Sequence, residues 1–175
     1  MVVDGGYRWD WYDFLQHYYF GGGGGVTLSE IGHLRDVVSY VETRKYAEFS
    51  SDIIYFAQRV GAGKFTVYKD WSIDFSHVHF VHGRGLVTAR FSGEVLQSDG
   101  YLSVDGRAEY TFEDTFTDDA NIRQRLEKVG VRLSDLPHWF VGLSDFGGTK
   151  YEIADRWLTR FKGLVRDERV DRQDV

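Results

Sequence analysis

Before Gly61 apolar side chains recur every three or four positions, and from Phe65 to Thr117 they alternate with polar ones almost residue by residue. The first spacing keeps side chains on one face of a helix, whereas alternation puts neighbours on opposite faces of a strand. Phe65, Val67, Trp71, Ile73 and Phe75 are the inward set of a first strand, expected to run on through Ser76-His-Val-His-Phe-Val-His82. Val87, Ala89, Phe91 and Val95 are the inward set of a second. Ser98-Asp-Gly100 predicts a hairpin turn with glycine where positive φ is tolerated, and a third strand follows from Tyr101 to Thr117.

The helical spacing begins with Trp11, Phe14, Leu15, Tyr18 and Tyr19, which predict an aromatic-faced helix over residues 9–20. Gly21 to Gly25 stop it and read as a flexible loop, because each glycine loses much backbone entropy on ordering. Thr27-Leu-Ser-Glu30 matches a capping box that opens a second helix along Leu28, Ile31, Leu34, Val38 and Val41. Tyr46, Phe49, Ile53, Phe56, Ala57 and Val60 mark a third, ended by Gly61 and Gly63. Downstream, Thr117 or Asp118 opens a short helix through Val129. Thr149-Lys-Tyr-Glu152 is a further capping box, with Ile153, Ala154, Trp157, Leu158 and Phe161 on one helical face; a strand competes, since Tyr151, Ile153, Trp157 and Phe161 share odd parity. The sum is α+β: an N-terminal helical layer packed on an antiparallel meander sheet, with C-terminal short helices. One domain is expected over residues 1–165, followed by a disordered charged tail over 166–175.

Composition narrows the function classes. At 175 residues one domain can bury roughly 70% of the unfolded chain's surface, so no staple is needed. Cysteine is absent, which removes thiol catalysis and thiolate metal sites. The net charge is −6 with basic residues scattered among acids, so no extensive nucleic-acid surface is evident. No apolar run is long enough for a transmembrane helix, and the first residues lack the basic and apolar regions of a signal peptide. Export would then need a larger parent chain or a dedicated secretion machine.

Three groups of residues carry candidate chemistry. Asp114, Asp118 and Asp119 close the third strand; paired carboxylates can divide acid and base roles or hold Mg²⁺ through oxygen ligands. Helix capping also accounts for Asp118 and Asp119. Strand parity sets Asp114 beside Tyr110, Phe112 and Phe116, and a carboxylate on an apolar face needs a partner or a task. His77 and His79 are expected on one strand face, as a general base beside a phosphate binder or as two metal ligands. Arg84, Arg90 and Arg107 would suit an anionic phosphate, with ordinary cross-strand pairing to Glu109 or Glu94 as the alternative.

Tyr110-Thr-Phe-Glu-Asp-Thr-Phe-Thr-Asp118, followed by Gly147-Gly-Thr-Lys-Tyr-Glu-Ile153 and Trp157, resembles the C-terminal toxin domains of bacterial polymorphic toxins and Rhs-type secretion effectors. The resemblance covers about a third of the chain. It implies secretion or delivery into a competitor cell and a neutralising immunity protein. Colicin M-like lipid II hydrolases also place acids at the end of an aromatic strand, but their Asp-x-Tyr-Asp motif and nearby His-Arg pair are absent here. The expectation is an antibacterial toxin or effector, hydrolysing a phosphodiester or pyrophosphate with Asp114, Asp118 and His79 in catalysis and Arg90, Arg107 and His77 on substrate. The alternatives are a non-enzymatic, membrane-disturbing toxin and a small-molecule or protein-binding module with an aromatic-lined pocket.

Overall fold

The computed structural model describes residues 7–79, 81–116, 128, 130, 132 and 148–168. They form two helices, α1 (Trp11–Phe20) and α2 (Leu34–Val60), and five strands: β1 (Val26–Thr27), β2 (Gly63–Asp74), β3 (Arg84–Ser98), β4 (Tyr101–Phe116) and β5 (Tyr151–Arg166). The class is α+β. The sheet order is β1-β5-β4-β3-β2, so the four long strands follow one another in chain order. β1 joins β5 in parallel, with Val26 opposite Ile153 and Thr27 opposite Ala154.

Parity governs the long strands. Phe65, Trp71 and Ile73 on β2, Val87, Ala89, Phe91 and Val95 on β3, and Leu102, Val104, Ala108, Tyr110, Phe112 and Phe116 on β4 are all buried. The β3–β4 turn has positive φ at both Asp99 (48°) and Gly100 (77°), the backbone a tight two-residue hairpin requires.

Several elements differ from the sequence reading. The expected second and third helices are one helix of 27 residues, α2, because nothing between Leu34 and Val60 is a glycine or proline. Of its expected stripe, Leu34, Val41, Ile53 and Ala57 are buried, whereas Tyr46 and Val60 are exposed. The Thr27–Glu30 capping box forms both of its hydrogen bonds, Thr27 N–H to Glu30 Oε2 at 2.7 Å and Glu30 N–H to Thr27 Oγ1 at 3.1 Å, yet the chain beyond it makes a turn. The glycine run is a turn fastened to α1, with Gly21 N–H on the His17 carbonyl and a 2.7 Å contact between His17 Nε2 and the Gly24 carbonyl. Residues 151–166 are strand β5, not a helix: the odd-parity reading holds, with Tyr151, Ile153 and Trp157 buried. β2 ends at Asp74, and the described residues between His77 and His82 are turn or irregular backbone rather than strand. Within the stretch expected as a charged tail, Arg166 closes β5, and Asp167 is buried and accepts from Gln97 Nε2 at 2.7 Å. Of the helix expected from residue 118 to Val129, Lys128 alone is described and is helical; the rest of it and the last residues of the tail lie outside the described residues. Among the described residues no helix is long and apolar enough to cross a membrane.

The chain divides into two compact units. The first comprises Met1–Val37, Ser72–Val87 and Phe112–Asp155; its apolar core includes Phe14, Leu15, Tyr18, Leu28, Ile31, Phe75, Phe112, Phe116 and Tyr151. The second comprises Val38–Trp71, Thr88–Thr111 and Arg156–Val175. Its core stacks Phe49 on Phe91 at 4.5 Å and Tyr110 on Trp157 at 5.0 Å between ring centroids.

Candidate functional site

The first unit buries polar chemistry in an aromatic setting. Asp10 caps α1 by accepting from Tyr12 N–H (2.8 Å) and Asp13 N–H (3.3 Å), while Asp13 Oδ2 accepts from Asp10 N–H (2.8 Å), which fixes where the helix starts. Phe14 on α1 is thereby set among three imidazoles. Its ring centroid lies 5.5 Å from His33, 5.9 Å from His79 and 5.7 Å from His82. The histidines themselves are 4.8 Å (His33–His79), 5.1 Å (His33–His82) and 6.2 Å (His79–His82) apart.

His33 and His82 have no exposed surface. Burying imidazole is costly unless its nitrogens are hydrogen-bonded. Both nitrogens of His33 are: Nδ1 is 2.8 Å from His82 Nε2, and Nε2 is 2.9 Å from the Trp9 carbonyl oxygen. On its far side His82 Nδ1 faces Asp114 Oδ2 at 3.8 Å. Burial, joined by the neighbouring His82, pushes the His33 pKa down to about 3 against the weaker pull of the Trp9 carbonyl. Burial again, then His82, lowers His79 to about 4. Both rings are neutral at pH 7.

Asp114 lies on the buried face of β4, with only 11% of its side chain exposed, and Oδ1 accepts from Thr115 N–H at 2.8 Å. Burial and then the charge of Asp114 raise the pKa of Tyr151, whose hydroxyl donates to the Phe14 carbonyl at 3.3 Å. Asp114 also lines a groove of about 480 Å³ with Arg84, Leu86, Glu113, Thr115, Glu152, Ile153 and Ala154. Asp114 is thus both a lining residue of this groove and a neighbour of a buried imidazole. Among the described residues, three carboxylates and one guanidinium line that groove, a lining that disfavours a highly charged anion.

Of the residues singled out from sequence, Asp114 and His79 lie in this unit, Asp114 3.8 Å from His82 and His79 against His33. His77 is exposed on the turn after β2 and so does not share a strand face with His79. Asp118 and Asp119 lie outside the described residues. Arg90 and Arg107 belong to the second unit, where both pair with Glu109, at 3.7 and 3.1 Å. Among the described residues, no three His, Asp or Glu side chains are grouped so as to hold a metal ion.

Sequence patterning did not single out His33 and His82. Their signals were present: His33 falls within the apolar series Leu28, Ile31 and Leu34, and His82 directly follows Val81. A histidine at a core position is a buried polar group that must find a partner. The partner here is 49 residues away.

No known family model and no curated protein matches the chain. Among solved structures, a truncated form of the bacteriocin syringacin M from Pseudomonas syringae pv. tomato DC3000 is similar at TM-score 0.44 and 17% identity, over 89% of this chain and 59% of that one. Pectocin M2 is similar at TM-score 0.39 and 16% identity, over 89% of this chain and 53% of that one. This chain thus spans a little over half the length of either neighbour. A likeness this loose transfers no activity, and the chemistry rests on the residues themselves.

Proposed function

We propose that the chain is an antibacterial toxin domain that hydrolyses a phosphodiester or pyrophosphate bond, with Asp114 as general base. One observation carries the reading: a nearly buried carboxylate, on a residue that lines the groove, faces a fully buried imidazole, His82, 3.8 Å away. A water in the groove gives its proton to Asp114 as its oxygen bonds to phosphorus. The bond from phosphorus to the leaving oxygen then breaks, that oxygen taking a proton from solvent, with Arg84, the one cation among the described lining residues, meeting the phosphoryl oxygens. Delivery into competitor bacteria and a cognate immunity protein in the producer complete the proposal; it agrees with the bacteriocin likeness without depending on it.

The test is expression in a sensitive bacterium, directed in turn to the cytoplasm and the periplasm. The chain kills in one compartment, and Asp114→Asn, folded by circular dichroism, lowers killing by about 10²- to 10⁴-fold, the range a positioned acid–base group contributes. An Asp114→Asn variant that kills at full strength removes Asp114 from catalysis. Harmless wild type in both compartments removes the toxin reading itself.

A further inference from the structure

A carbonyl oxygen only accepts hydrogen bonds, so the order of protons in the buried histidine chain can be read from its end. The Trp9 carbonyl lies 2.9 Å from His33 Nε2, which must therefore carry the hydrogen. His33 is neutral, so its Nδ1 is a bare lone pair. The nitrogen 2.8 Å from that lone pair, His82 Nε2, must be the donor. His82 Nδ1 is the remaining ring nitrogen, and it faces Asp114 Oδ2.

We propose that His33 is a positioning residue: with the Trp9 carbonyl it fixes His82 as the Nε2–H form, leaving His82 Nδ1 to take the proton that Asp114 has removed from water. The inference rests on the reading of Asp114 as general base. The proton passes from water to an Asp114 oxygen and then to His82 Nδ1, which returns Asp114 to its carboxylate form. His82 becomes an imidazolium whose Nε2–H is already held by His33 Nδ1, while His33 Nε2–H remains on the Trp9 carbonyl. The leaving oxygen takes a proton from solvent, and His82 later releases its own to solvent, so the cycle closes with every group as it began. The 3.8 Å separation of His82 from Asp114 is longer than a hydrogen bond, and closing it takes about 1 Å; such bonds are often long in free enzymes and tighten with substrate.

The fold holds the far end of this chain closely. Trp9 N–H donates to the Ile31 carbonyl at 2.9 Å, clamping the segment before α1 onto the turn that carries His33. Gly32 lies under that crossing with φ +71°, where a Cβ would come within 2.7 Å of the Tyr7 carbonyl oxygen and 2.9 Å of Arg8 Cα. Only glycine allows the backbone of residues 7–9 to approach so closely. The imidazoles also have charged neighbours: Arg8, Asp10 and Asp36 act on His79, and Arg8 acts on His33.

Histidine ¹⁵N–¹H correlation spectra of the labelled chain read the tautomers directly. The expected result at pH 7 is hydrogen on Nε2 of both His33 and His82; hydrogen on His33 Nδ1 overturns the proposal without any variant being made. Two substitutions extend the test. Glutamine spaces an acceptor and a donor about as far apart as the two ring nitrogens, so His33→Gln keeps His82 as the Nε2–H form and retains most killing. His33→Leu removes the acceptor, shifts neutral His82 toward the Nδ1–H form and lowers killing about 10²-fold. Unchanged His82 spectra in a folded His33→Leu variant overturn the proposal. Full killing by Asp114→Asn with the expected tautomers sinks the catalytic reading and leaves the proton order standing, so the two failures are distinguishable.

Discussion

Lowering the pH from 7 to 5 should destabilise the fold chiefly through His33. Its folded pKa is about 3, against 6.5 for a free imidazole. Above pH 6.5 neither state binds a proton there. Below it the unfolded chain takes up a proton that buried His33 refuses, so stability falls with pH until the folded pKa is reached. At 1.36 kcal/mol per pKa unit, the loss between pH 7 and pH 5 is about 2 kcal/mol from His33 alone. His79, lowered to about 4 and partly exposed, adds a smaller loss in the same window. Glu30, Glu48 and Asp74 also have lowered pKa values, but carboxylates titrate below the window and leave it to the histidines. Against a typical stability of about 5–15 kcal/mol, a 2 kcal/mol change is readily measured. Guanidinium unfolding curves at half-unit pH steps are the assay, run on wild type and His33→Gln. The variant has no titrating group at this position, so its loss between pH 7 and 5 should be about 2 kcal/mol smaller. Equal slopes for the two proteins refute the burial argument for His33.

Two further predictions concern other parts of the fold. Asp155 Oδ2 accepts from Ser29 N–H at 2.8 Å and Ser29 Oγ at 2.6 Å, so Asp155→Ala leaves two partly buried donors unpaired. The cost is about 1–3 kcal/mol, read as lower stability and as Ser29 amide exchange about 5- to 150-fold faster. In the second unit, Trp71 Nε1–H donates to Glu48 Oε1 at 2.8 Å, and that bond is the first cause of the lowered Glu48 pKa. Trp71→Phe should cost about 1–2 kcal/mol in a denaturant titration and let the Glu48 pKa rise toward its ordinary value in carboxyl NMR.

Legibility in the sequence tracks the range of the forces involved. Alternation along β2, β3 and β4 was legible because one face is buried and a one-residue slip would expose Phe65, Phe91 or Phe112. The same parity placed Asp114 inward. Local hydrogen bonding was legible too, since the Thr27–Glu30 pair forms, but a capping box shows only that two side chains can bond and does not oblige a helix to form after it. Thr149-Lys-Tyr-Glu152 misled in the same way. Strand β5 depends on backbone partners far away in sequence, among them Val26 opposite Ile153, which no local pattern announces. The apolar series ending at Val41 and the one beginning at Tyr46 were expected as separate helices, yet the stretch between them contains no helix breaker and α2 runs through it. The histidine relay was least legible, because Trp9, His33, His82 and Asp114 come from four separate segments that only the folded chain assembles.

The central claim is hydrolysis at phosphorus by water activated at Asp114, and solvent oxygen tests it most directly. Purified chain is incubated in ¹⁸O-labelled water with the phosphodiester and pyrophosphate fraction extracted from sensitive bacteria, and phosphate-bearing products are analysed by mass spectrometry. The expected result is one ¹⁸O in the phosphate of a product with wild type and none above background with folded Asp114→Asn. No ¹⁸O in any phosphate with a wild-type chain that kills, or equal labelling by the Asp114→Asn variant, would contradict it.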